Sequence, residues 1–242
     1  MNELQFKGYV TPDDCGGDLR AALSIATELD IRKVVVDRDH SVVGPVYVPQ
    51  GMYIVIRGCT LAADLVFDGG ENYSFCKKWL TIEGENGVLR GNMQVFNAAH
   101  VTLTDLRVEG SLSCEYVNWG SIYNVAVSCG DVTVGRGCNN FIIRNVHGEA
   151  LRISGDHSCG RIVPGSKPEV TNIIVKHCCG QVVLTAAADC GLLNVQADHI
   201  EGDVIVGDPA QTLPAEQFMN LTLTDLTGQL RLLNPVKHAY VQ

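Results

Sequence analysis

A five-residue phrase recurs nine times along this 242-residue chain. It opens with glycine or a substitute, adds a polar or small residue, and closes apolar–any–apolar. It reads GPVYV from Gly44, ADLVF from Ala63, GNMQV from Gly91, GSLSC from Gly110 and GDVTV from Gly130. It returns as EALRI from Glu149, GQVVL from Gly180, GDVIV from Gly202 and GQLRL from Gly228. Many intervals are about twenty residues, the signature of a stacked-repeat architecture. A second phrase lies between these. VTLTDL, SIYNV and FIIRNV each place a polar residue, Asp105, Asn124 or Asn145, directly after an alternating strand. One repeat therefore holds three short strands and three turns.

Alternation of period two turns one side of each strand inward. Such a unit cannot bury its apolar face alone. Coils stacked at about 4.8 Å give every strand a parallel neighbour and build a continuous core. The expected fold is all-β, a right-handed parallel β-helix of about nine rungs, as a single domain over residues 1–242. The inward set includes Val132, Val134, Leu151, Ile153, Val182, Leu184, Val204, Val206, Leu230 and Leu232. Asp105, Asn124 and Asn145 should form a column at one tight turn, with side chains bonding the backbone or each other.

Composition narrows the function classes. A hydrophobic fraction of 46% supports a large core, and the net charge of −9 disfavours DNA, RNA and anionic membranes as partners. The opening MNELQFKGYV has no apolar signal-peptide core, and no run of 18 apolar residues suggests a membrane span. A cytoplasmic location follows as the expectation. The ten cysteines then read as reduced thiols serving as small core residues, Cys114 and Cys178 among them. HCC at His177 and DHSC at Asp156 lack a second ligand pair at zinc spacing, so neither a metal nor a cofactor is expected.

The stretch GGDLRAALSIATELDI is the one amphipathic helix, with Leu19, Ala22, Leu23, Ala26 and Leu29 on one face. Placed before the first strand, RKVVVD, it should cover the N-terminal end of the stack, residues 1–30 acting as the cap and 31–242 as the coils. The last residues, NPVKHAYVQ, offer no comparable cap. A loop, another chain or a cut there are the alternatives, and association through the C-terminal end is among the expectations.

The segment TPDDCGGDLRAALSIATELDIRKVVVDRDHSVVGPVYVPQGMYIVIRGCTL resembles the opening module of the pectate-lyase-like superfamily. That module has an Asp-rich start, an Ala/Leu helix, a VVV strand, a G-P-h-x-h-P-x-G stretch and a strand leading to G-x-T-L. The resemblance covers roughly the first 60 residues. It implies a right-handed β-helix and a link to polysaccharides. The catalytic set of the polygalacturonases is not matched: Asp13-Asp14 precede the helix, GDHSCG stands for G-H-G, and Arg161-Ile162-Val163 lacks the Lys of R-x-K.

The resemblance implies a ligand groove along the strand of the five-residue phrase, whose outward residues here include Gln94, Ser113, Thr133 and Arg152. Long insertions follow Phe67, Ile153 and Val206. The first two would wall a floor of about 19 Å over four rung steps. Tyr73, Phe75 and Trp79 in one wall could stack on sugars. The other wall carries Asp156, His157, Arg161 and Lys167. For hydrolysis, Asp131 and Asp156 would share acid and base roles, since carboxylates about 5 Å or 9.5 Å apart suit retaining or inverting chemistry. The neighbouring-rung pair Asp131 and Glu149 is the alternative. Arg152 would orient a hydroxyl or carboxylate. Three functions are carried forward: a polysaccharide hydrolase or lyase relative, a non-catalytic glycan-binding or phage-tail-type module, and a structural β-helix that polymerises end to end. GDVTVGRG and GDVIVGD resemble bactofilin rungs, which is the basis of the third, while the N-terminal helix and the long loops speak against it.

Overall fold

The computed structural model describes residues 3–70 and 78–242. It is mostly strand, and the strands join in one parallel sheet. All nine phrases align in a single register. Val46 pairs with Leu65, Leu65 with Met93, Met93 with Leu112, and Leu112 with Val132. Val132 continues to Leu151, Leu151 to Val182, Val182 to Val204, and Val204 to Leu230. A second ladder runs in parallel from Lys33–Val36 through Met52–Arg57 and Trp79–Glu85 to Lys237–Val241. A third, shorter ladder begins at His40–Ser41 and passes Thr60–Ala62, Val88–Arg90 and Arg107–Glu109.

The glycines that open the phrase from Gly91 onward have a steric cause. A Cβ on Gly202 would lie 2.2 Å from Gly180 O, and one on Gly228 2.2 Å from Gly202 O. Successive strands approach too closely at these glycines for a side chain, whereas a Cβ on Gly44, in the first phrase, would meet nothing closer than 3.9 Å. Glu149 stands in that slot, and the register slips between His147 and Ala150, a bulge that makes room for it. Its side chain is exposed.

Val132, Val134, Leu151, Ile153, Val182, Leu184, Val204 and Val206 are buried in one cluster with the inward residues of the other ladders. Leu230 is partly buried and Leu232 is 51% exposed. No described strand stacks beyond them, so alternation points them correctly but nothing covers them. Cys114 and Cys178 are core residues, and burial pushes both thiols up to about 12. The nine described cysteines are free. Cys76 lies outside the described residues.

The helix spans Leu19–Glu28. The Asp18 side chain caps it by accepting from Arg20 N at 2.8 Å and Ala21 N at 3.3 Å. Leu19, Ala22, Leu23 and Ala26 are buried in the same cluster as the strands. Asp105, Asn124 and Asn145 all adopt positive φ. Asn124 Nδ2 donates to Asp105 Oδ1, and Asn145 Nδ2 to Asn124 Oδ1, each at 2.8 Å. His177, His199 and Asp225 continue that left-handed corner.

Candidate functional site

The outward face of the phrase ladder is largely occupied by its own contacts. Asp64 Oδ1 accepts from Asn92 N at 2.8 Å, Asn92 Oδ1 from Ser111 N at 3.0 Å, and Asp203 Oδ1 from Gln229 N at 2.9 Å. Arg152 Nε donates to Asp131 Oδ2 at 2.5 Å. Thr133 is buried, while Gln94 is exposed. Asp156 accepts from Thr185 Oγ1 at 2.7 Å and from the Ser154 hydroxyl. Asp131 and Asp156 are each bonded to their own neighbours rather than to each other. Trp79 begins a strand of the second ladder, registered with His100. Tyr73 and Phe75 lie outside the described residues.

The segment 155–169 does not stand as a wall over that face. It folds across the next corner, toward the start of the second ladder. Four contacts hold it there. Glu115, almost fully buried, accepts from Cys159 N at 2.9 and 3.0 Å through its two oxygens. His157 Nε2 lies 3.5 Å from Glu115 Oε1. Arg161 forms an ion pair with Asp68 and sits over the Phe96 ring, 3.9 Å from its centroid. Gly137 N donates to Pro168 O at 2.7 Å.

Beneath this segment lies a groove of about 1110 Å³. Its floor includes Asn118, Asn139, Thr171 and Leu193, which take equivalent places on successive strands. Asn139 Nδ2 donates to Asn118 Oδ1 at 3.0 Å. Lys78, Asn97 and Tyr116 close one side; Arg161, Lys167 and Glu169 close the other. Arg161 and Lys167 are thus the expected residues that reach the groove. Asp131, Arg152, Thr133, Gln94, Asp156, His157 and Trp79 lie outside its lining.

The groove carries Lys78, Arg161 and Lys167 against Asp68 and Glu169, one formal positive charge on a chain of net −9. Lys78 is buried, and its Nζ donates to Gly70 O at 2.7 Å. Burial holds its ammonium below the ordinary value, with Asp68 opposing. Burial likewise raises the Tyr116 phenol. Glu169 Oε2 is buried without a hydrogen-bond partner among the described residues. Amides, a desolvated ammonium and an unsatisfied carboxylate oxygen suit a ligand rich in hydroxyls and carrying negative charge. Among the described residues, no group of three or more His, Cys, Asp or Glu could hold a metal ion, and no helix is long and apolar enough to cross a membrane.

No protein family, curated protein or solved structure matches this chain. The groove therefore rests on its own geometry.

Sequence reasoning missed Asp68, Glu115 and the Asn118–Asn139 pair. A signal for the first two exists. Only the second and fourth phrases, ADLVF and GSLSC, are followed directly by a carboxylate. Those two residues, Asp68 and Glu115, anchor the segment 155–169. A carboxylate just past an inward apolar residue has to find a donor at the corner, and an inserted loop supplies it.

Proposed function

We propose that this chain is a right-handed parallel β-helix of nine rungs, with the Leu19–Glu28 helix as its N-terminal cap. We propose further that it binds an acidic oligosaccharide in the groove under residues 155–169 without cleaving it. The single-register ladder of nine phrases supports the coil, and the buried apolar face of the helix supports the cap. The resemblance of the opening module to the pectate-lyase-like superfamily supports the polysaccharide link.

The observation that carries the binding site is the groove's unsatisfied chemistry. A buried lysine bonded to a carbonyl and a buried carboxylate oxygen without a donor are costly alone and are relieved by a ligand offering an anion and a hydroxyl. Binding is favoured over cleavage because Asp131 is held in an ion pair with Arg152 and Asp156 by two hydroxyls. Neither is placed as an acid–base partner of the other. Calorimetric titration with hexagalacturonate, with product analysis of the same mixture, tests the reading. Saturable binding with intact ligand is expected. Lys167→Ala, which removes an exposed cation of the groove, should weaken binding by about tenfold, equivalent to about 1.4 kcal/mol. Absence of binding, or an unchanged affinity in that variant, overturns the site, and shortened products overturn the non-catalytic assignment.

A further inference from the structure

We propose that a second surface, the outward column through Trp79, His100, Trp119, Asn140, Asn172 and Asn194, binds an uncharged oligosaccharide independently of the groove. The chain has two tryptophans, and the strand register places both on this column with one histidine between them. The His100 and Trp119 rings are stacked, 4.9 Å between centroids and 15° from parallel. Trp119 nevertheless remains 49% exposed. A large aromatic surface left in water on a rigid ladder is a feature of binding faces, since its burial by a ligand is favourable and costs little side-chain entropy.

The column then changes chemistry. Asn172 Nδ2 donates to Asn140 Oδ1 at 3.2 Å, and Asn194 Nδ2 to Asn172 Oδ1 at 3.0 Å. Asn220 extends the series with a 2.8 Å bond to Asn194. All four asparagines hold positive φ, so the corner fixes their direction. Asn172, Asn194 and Asn220 each spend one N–H on the rung before, whereas Asn140 Nδ2 donates twice, to Asn118 O at 3.3 Å and to Asn139 Oδ1 at 2.7 Å. A second N–H and an oxygen lone pair remain on Asn172, Asn194 and Asn220, and these three are exposed. From Trp79 to Asn220 is six rung steps, about 29 Å at about 4.8 Å each.

Aromatic rings followed by a row of spaced amides match a chain whose units have an apolar C–H face and equatorial hydroxyls. The six named residues include no Lys, Arg, Asp or Glu. A nucleic acid would need cations along such a stacking row, and an acidic glycan would need them as well. An uncharged oligosaccharide is the class that remains.

The two tryptophans make the test direct. The full chain is titrated with cellohexaose, xylohexaose and mannohexaose while its fluorescence is followed. Trp79→Phe leaves Trp119 as the sole tryptophan, so a saturable change in that variant reports on the column. Binding of at least one hexaose is expected. Trp119→Ala, followed by calorimetry, should weaken it at least tenfold, and Trp119→Phe should restore most of the loss. Lys167→Ala should leave it unchanged, which separates this surface from the groove. If Trp119→Ala fails to fold by circular dichroism, His100→Ala serves in its place, with the same expected loss. The inference is overturned if none of the three hexaoses binds, if binding survives removal of the ring, or if Lys167→Ala abolishes it.

Discussion

Val206 and Leu232 close the same phrase on adjacent strands and are registered partners. Val206 is fully buried, whereas Leu232 is half exposed. The residues one step earlier, Val204 and Leu230, differ in the same sense. At the opposite end of the chain, the apolar face of the helix Leu19–Glu28 joins the same buried cluster as the first strands. The phrase therefore decides which way a side chain points. Burial comes from having a packed layer on both sides. Identical sequence patterns can carry very different energies according to their place in the stack.

The largest test of this comparison is a matched pair of substitutions. Val206→Asp forces a carboxylate into the core without a partner and should cost several kcal/mol, on the order of 3–5. Leu232→Asp places the same group where water reaches it and should cost about 0.5 kcal/mol or less. Urea unfolding followed by circular dichroism measures both. Equal losses would mean that the strand Leu230–Leu232 is covered in solution.

A second pair carries the contrast to charged groups. Glu115 is buried within the stack and accepts the Cys159 N–H, while Glu216, near the open end, pairs loosely with Lys237 at 3.6 Å. Glu115→Ala removes a charged acceptor of the Cys159 N–H from a buried position and should cost about 1–3 kcal/mol. It should also release the segment 155–169, seen as faster cleavage within it under limited proteolysis. Glu216→Ala should change stability by less than about 0.5 kcal/mol. If the segment keeps its protection in Glu115→Ala, the anchor lies in the Arg161–Asp68 pair and the Gly137–Pro168 bond.

These contrasts also show what the sequence made legible. The ladder was readable because alternation, glycine spacing and the turn residues Asp105, Asn124 and Asn145 all repeat, and repetition turns weak local signals into one register. The groove was not readable in the same way. Arg161 and Lys167 were visible as charges in an insertion, but the corner across which that insertion folds is set by Glu115 and Asp68, single residues outside the repeat. The asparagine column at Asn140, Asn172, Asn194 and Asn220 sat in plain text as NF, NI, NV and NL. Its spacing is irregular because insertions of different length intervene, so the column emerges only once the strands are paired. Asp131 and Arg152 were read as a free floor, yet the two lie diagonally across adjacent strands and form an ion pair.

The smallest effect concerns a carboxylate two strands in from the last strand of the second ladder. Asp198 is registered with Thr224, whose hydroxyl donates to Asp198 Oδ1 at 2.7 Å. That hydrogen bond is the main cause holding the Asp198 carboxyl below its ordinary value of 3.8, with partial burial opposing and His199 assisting. A folded-state value below the unfolded one means that ionisation favours the fold. The contribution is present above about pH 4 and is lost as pH falls through the depressed value. Thr224→Val removes the hydroxyl while keeping the shape. The Asp198 carboxyl should then titrate closer to 3.8 by NMR, and the loss of stability on acidification should become shallower by a small margin. The His199 contacts at 3.2 Å to Asp198 and 3.0 Å to Asp225 should persist, because neither involves the hydroxyl. An unchanged titration in Thr224→Val would assign the depression to His199 instead. In that case His199→Gln, which lacks the charge, should raise the carboxyl by itself.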